Sequence, residues 1–192
     1  LGVRPASVTI IPGQGSLDAT GGDLDVAIDG NGYLEVTLPN GTTAYTRDGA
    51  LKRSAAGQID TSDGLPIVPG ITIPTDARGL TISPTGEVWA DFADRVDPEL
   101  LGQLTLSSFA NEKGLEALGS NLFVESPASG AAFSGQPGLD GLGTLRQCYL
   151  EASSVDAVRE VTELIKAQRG YELNAKVITA ADQMLAATTQ VR

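Results

Sequence analysis

The chain has no histidine. That removes the commonest general base at neutral pH and the commonest neutral metal ligand, so a Ser/His/Asp hydrolase set and a histidine-bound zinc are both excluded. It has one cysteine, Cys148, which can form neither an internal disulfide nor a thiolate zinc site. With no imidazole to activate it, Cys148 reads as a small, buried, apolar-like residue. Aromatic residues make up 5% of the chain, too few to line a large pocket. No apolar run reaches the roughly 18 residues of a membrane-spanning helix, which argues against direct membrane insertion. Residues 1–20 lack the basic, apolar, small-residue succession of a secretory leader. The opening "LGVRPASVTIIPG" has no initiator methionine, and the expectation is a piece of a longer product.

What is present is acid, turn residues and one long helix. The net charge is −11. From Ser153 onward, Asp156, Glu160, Glu163, Glu172 and Asp182 are balanced by Arg159, Lys166, Arg169, Lys176 and Arg192. The last segment is therefore neutral, and residues 1–152 carry the whole excess. An acidic body repels nucleic acid and anionic membrane, so no nucleic-acid partner is expected. A neutral helix can lie beside copies of itself without strong repulsion.

Gly and Pro punctuate the first two thirds. "LDVAI", "YLEVTL", "TTAYTR", "GLTIS" and "EVWADF" are separated by "DGNG", "PNG", "TSDG" and "PTG". Asn-Gly, Asp-Gly and Pro-x-Gly suit the positive φ of tight turns, and short Val/Ile/Thr/Tyr runs between them read as hairpins. In "YLEVTL", Tyr33, Glu35 and Thr37 alternate with Leu34, Val36 and Leu38. "LGQLTLSSF" repeats the alternation through Leu101, Leu104, Leu106 and Phe109, with a slip near Gln103 that suggests a bulge or a late start of the strand. "NLFVES" is the last strand candidate.

The expected fold is mainly β with one long C-terminal α-helix. Residues 1–22 form an extended N-terminal segment and 23–126 a compact β domain of short hairpins. Residues 127–152, rich in Gly, Ser and Pro, form an extended connector. Residues 153–192 form a coiled-coil-like helix, with Ser153 and Asp156 matching a Ser-x-x-acid cap. About 40 helical residues span roughly 60 Å.

The apolar residues of that helix do not keep to one face. One stripe runs Val161, Leu164, Gln168, Tyr171, Ala175, Ile178, Asp182, Leu185, at the alternating three-and-four spacing of a heptad seam with polar breaks at Gln168 and Asp182. A second runs Leu173, Val177, Ala180, Met184, Ala187, Val191. It is offset by about two residues, which at 100° per residue puts it nearly opposite the first. A helix resting on its own β domain needs one stripe. Two stripes require cover on both sides, from helices of other chains or from a part of the protein beyond this sequence. The stripe residues other than Asp182 and Ala187, together with Ile165, are the candidate subunit interface. Gly170 costs about 1 kcal/mol relative to Ala in a helix interior. It reads either as a close-approach point or as a tolerated defect.

No chemical site emerges, and no cofactor is expected. A calcium loop started at Asp23 meets Ala27 and Ile28 at its fifth and sixth positions, and one started at Asp29 meets Tyr33 at its fifth; both miss required ligands. "GLDGLGT" lacks the lysine of a phosphate-binding loop. No pair of carboxylates is singled out as acid and base. No catalytic, cofactor-binding or metal-binding residue is assigned.

The stretches "LDVAIDGNGYLEVTLPNGTTAYTRDGALKRSAAGQIDTSDGLPI" and "EASSVDAVREVTELIKAQRGYELNAKVITAADQML" resemble the β-domain and C-terminal helix of the bacterial flagellar rod and hook proteins. "GLEALGSNLFVESPASGAA" is most similar to the distal-rod members. The resemblance implies a non-enzymatic structural subunit of the basal body that polymerises helically into the shaft carrying torque from motor to hook. In that family, N- and C-terminal helices pack into an inner tube with β domains outside. The implied partners are further copies of the chain, proximal rod and hook proteins, and the surrounding periplasmic and outer-membrane ring proteins. Export through the flagellar type III apparatus is implied too, as is a location in the periplasm-spanning rod. The family's N-terminal helix lies outside this sequence, and Gly170 stands where the family usually carries another residue. Alternatives are a proximal rod or hook subunit, an acidic-pair glycan hydrolase, and an adhesin-like module that leaves the helix unexplained.

Overall fold

The computed structural model describes residues 13–190, with the side chains of Asp182 and residues 185–190 left aside. The chain divides into two compact units, Leu1–Ala152 and Ser153–Arg192. It is mainly β, with a single long C-terminal helix.

Among the described residues, the first unit carries fifteen short strands. In chain order they are β1 (Leu17–Ala19), β2 (Val26–Asp29), β3 (Tyr33–Thr37), β4 (Thr43–Thr46), β5 (Leu51–Arg53), β6 (Ile59–Thr61), β7 (Ala77–Ile82), β8 (Glu87–Phe92), β9 (Glu99–Gln103), β10 (Leu106–Ser108), β11 (Glu116–Gly119), β12 (Leu122–Val124), β13 (Phe133–Gly135), β14 (Thr144–Gln147) and β15 (Tyr149–Glu151). The largest sheet has the order β11-β12-β4-β3-β10-β13. Around it lie β7-β8-β9 and the pairs β2-β14, β5-β6 and β1-β15. All described strand pairings are antiparallel, as short hairpin connections require.

The turn dipeptides act where the sequence places them. Between β3 and β4, the Asn40 Oδ1 accepts the Thr42 N–H at 3.0 Å, and Gly41 takes φ +81°, a conformation costly for a residue with a Cβ. β3 alternates as expected: Leu34 and Val36 are fully buried and Glu35 and Thr37 only half so. Tyr33 is buried as well, because the other face of β3 packs a second, aromatic cluster of Tyr33, Tyr45, Phe109 and Leu115. The main core gathers Val26, Ile28, Leu34, Val36, Ile59, Ile67, Leu104, Leu106 and Leu145 from several sheets.

The structure refines three expectations. The slip near Gln103 is a bulge followed by a strand end: the β8–β9 register steps from Val88↔Gly102 to Trp89↔Leu100, which leaves Leu101 as the extra residue, and β9 then ends at Gln103 before β10 begins at Leu106 in a different sheet. Leu104 sits at the corner, fully buried, with its N–H on the Gly86 carbonyl at 2.7 Å. The Gly/Ser/Pro-rich stretch read as a connector carries β13, β14 and β15. Two of its apolar residues, Leu142 and Leu145, enter the main core, while Phe133 and Leu139 stay exposed. β14 pairs with β2 from Thr144↔Asp29 to Gln147↔Val26, so its partner lies far back in the chain and local composition could not reveal it. Likewise the stretch read as an extended N-terminal segment contains β1, zipped to β15 through Leu17↔Glu151, Asp18↔Leu150 and Ala19↔Tyr149.

The second unit is one helix, α1 (Ala157–Gln190), of 34 residues and about 50 Å. It starts later than the Ser153 expectation. Asp156 is the cap: its Oδ1 accepts the N–H groups of Val158 at 2.9 Å and Arg159 at 3.3 Å. Ser153 instead accepts the Val155 N–H at 3.2 Å, a small turn before the helix. A carboxylate at the positive end of the helix is favoured twice, by hydrogen bonding and by the helix dipole.

Candidate subunit interface

The helix sequence favours α structure throughout, with no proline and Gly170 alone as a weak point. Glu163 and Lys166 form an ion pair at 2.7 Å one turn apart, worth a few tenths of a kcal/mol. That is local support. It does not cover apolar surface.

The stripe side chains are exposed. Val161, Leu164, Ile165, Tyr171, Leu173, Val177, Ile178 and Met184 range from 44% exposed at Ile165 to 76% at Tyr171. Gln168, Ala175 and Ala180 are exposed too. The side chain of Leu185 and the whole of Val191 lie outside the described residues. Val155 and Val158 are also exposed and were missed. The signal for Val158 was available, since Val158, Val161 and Ile165 stand three and four residues apart. Isolated exposed apolar side chains are ordinary, but an array running along opposite sides of a 34-residue helix is more than scattered exposure. Among the described residues, nothing lies within 4 Å of a Cβ built at Gly170. Among the described residues, no helix is long and apolar enough to cross a membrane.

Where the chain leaves the β unit, a side-chain cluster holds it. Arg47, just after β4, donates from Nε to Glu151 Oε2 at 3.0 Å and from Nη2 to the same oxygen at 2.9 Å. Its Nη1 reaches the carbonyls of Gly30 at 3.2 Å and Gly32 at 3.1 Å, and its guanidinium lies over the Tyr33 ring. Glu151 Oε1 accepts the Gly15 N–H at 2.9 Å. The Ala152 N–H bonds the Ser16 carbonyl at 2.8 Å. The strands at which the chain arrives and departs are thus side by side. No sequence spacing pointed to Arg47 or Glu151, because their proximity depends on the whole intervening fold.

The groups with displaced titration are structural tyrosines. Burial, then the Glu112 carboxylate, push Tyr33 up to about 12. Burial, then the hydrogen bond to Glu125, raise Tyr45 as well. A shallow cleft lined by Asp29, Asn31, Thr144 and several glycines offers one carboxylate, with Arg146 3.8 Å away, and no second acid to work with it.

Two family models match the chain. Residues 27–90 match the model of the flagellar hook protein FlgE/F/G D1 domain. Residues 146–191 match the flagellar basal body rod FlgEFG protein C-terminal model. The chain is 52% identical over 191 residues to the flagellar basal-body rod protein FlgG of Caulobacter vibrioides, covering 100% of this chain and 73% of that protein. It is 50% identical over 184 residues to FlgG of Agrobacterium fabrum, covering 96% and 70%. It is 40% identical over 190 residues to FlgG of Bacillus subtilis, covering 96% and 71%. The chain therefore belongs to the flagellar basal-body rod protein family, as a structural, self-assembling subunit of the distal rod of the bacterial flagellum.

Proposed function

We propose that α1 is the polymerising element of this subunit and that its two apolar sides are enclosed by neighbouring copies in a helical shaft. The observation that carries the reading is the exposure of apolar side chains on nearly opposite sides of one long helix. A contact in which one side of a helix meets a different side of the next copy is heterologous and does not close on itself, so it propagates as an open helical filament. Burying one Leu or Ile side chain contributes about 1.5–3 kcal/mol. Many such contacts per subunit, repeated along the shaft, give an axle that carries torque from motor to hook.

The β unit, which holds the acidic excess, faces outward in this reading, toward the ring proteins around the shaft. Proximal rod and hook proteins cap its two ends, and subunits reach the tip through the flagellar type III apparatus. The neighbouring positions of β1 and β15 support an arrangement in which chain on either side of the β unit works together in the inner tube. The test is the pair Ile178→Asp and Leu185→Asp in the full-length protein in cells. Each places a charge in what the reading makes a dry contact, so rods fail to assemble while the purified β unit keeps its fold. Normal rods from both variants would overturn the reading.

A further inference from the structure

We propose that Arg47 and Glu151 are positioning residues for assembly: their ion pair pins the strand from which the chain leaves the β unit. The strand in question needs pinning. β15 is three residues long, and its partner in its two-stranded sheet is the equally short β1. β1 is poorly covered, with Asp18 and Ala19 exposed. A ribbon of that size is marginal by itself in water.

The ion pair ties it to a firm base. Arg47 and Glu151 side chains are 23% and 11% exposed, well shielded compared with the Arg95–Glu99 pair at 65% and 50%. The base is the β2–β3 turn, whose Gly30 and Gly32 carbonyls take the remaining guanidinium protons. That turn is closely packed: a Cβ at Gly30 would meet Gly143 Cα at 2.9 Å, and one at Gly32 would meet Leu106 at 3.2 Å. Glu151 uses its second oxygen on Gly15, so one carboxylate holds both the arriving and the departing strand. A guanidinium presents its donors in a flat fork and can serve the carboxylate and two carbonyls together, which an ammonium cannot. Unit 1 ends one residue later, at Ala152. Any force passed along the backbone from the helix segment therefore reaches the β unit at this pin. The inference rests on the reading that the helix segment is the assembling element.

The test uses full-length protein and three variants. Glu151→Ala frees both strands and leaves Arg47 on the turn, Arg47→Lys removes the fork, and Arg95→Ala breaks the exposed pair as a control. Amide hydrogen exchange should speed up on the order of tenfold or more at residues 15–17 and 149–152 in the first two. Amides of 26–36 should stay as protected as in the parent, and the control should change nothing. Cells carrying Glu151→Ala should lose swimming in viscous medium. Unchanged exchange at the departing strand, a rise spread evenly over the β unit, or undiminished swimming under load would each overturn the proposal. If parent cells build no rod from this protein, the functional reading fails instead, and the exchange result still judges the pin.

Discussion

Tyr45 donates its phenol proton to Glu125 Oε1 at 2.6 Å across 80 positions of sequence. The same carboxylate oxygen accepts the Ala132 N–H at 3.1 Å. The Tyr45 ring stands edge-on to Phe109 at 4.8 Å between centroids. One side chain thus joins the second core to the segment between β12 and β13.

That arrangement gives the β unit an alkaline limit. Tyr33 is raised to about 12 by burial and then by Glu112, and Tyr45 is raised by burial and then by its bond to Glu125. A phenol with a higher pKa folded than unfolded stabilises the fold fully below its unfolded value, about 10. The contribution is lost as pH rises through the folded value. Thermal melts of the β unit should therefore hold steady to about pH 9 and fall between about 10 and 12. Tyr33→Phe with Tyr45→Phe should flatten that fall. A decline in the double variant as steep as in the parent would show that other groups set the limit.

The helix cap is separable from the serine upstream of it. Asp156→Ala removes the acceptor for two N–H groups and should cost about 0.5–2 kcal/mol of helix stability. Ser153→Ala loses one turn bond and should cost less. Helical circular dichroism of the two variants during urea titration ranks them; the reverse order would restore Ser153 as the cap.

Two glycines should respond in opposite directions. At Gly170 nothing lies within 4 Å of an added Cβ, so Gly170→Ala should raise helix stability by about 1 kcal/mol in the unassembled protein. At Gly49 an added Cβ would fall 1.6 Å from the Val26 carbonyl oxygen, inside a main-chain contact where the Val26 N–H bonds the Gly49 carbonyl at 3.0 Å. Gly49→Ala should yield little folded β unit. Soluble expression and thermal melts decide both.

The corner residue Leu104 is fully buried between the β7-β8-β9 sheet and the large sheet. Leu104→Ala should lower the stability of the β unit by about 2–5 kcal/mol, since a corner between sheets has little freedom to collapse around the space left. Chemical denaturation measures it, and a loss under about 1 kcal/mol would mean the site relaxes.

Much of this was legible because it is local. Asn-Gly, Asp-Gly and Pro-x-Gly fix turns within four residues, and the strands between them follow. The helix announced itself by its length and by two apolar stripes. What escaped is non-local. β14 finds β2, and β1 finds β15, only after the intervening chain has folded. A segment with Leu142 and Leu145 as its inward residues therefore looks like linker in composition. Arg47 and Glu151 are ordinary charged residues until the fold brings them to 2.9 Å. The choice of Asp156 over Ser153 as cap depends on a register of three residues, finer than sequence pattern resolves. The interface candidates could be placed on the helix from spacing alone, because a helix fixes its own faces. The cover proposed for them comes from other copies of the chain, which no spacing within one helix can reveal.

The central claim is that both sides of α1 are enclosed in the assembled shaft. Hydroxyl-radical footprinting of full-length protein, as monomer and as isolated rods, tests it at Tyr171 and Ile178 on one side and Leu173 and Val177 on the other. All four are exposed in the single chain. The account expects strong protection of all four in rods; either side reacting as fast in the rod as in the monomer would contradict it.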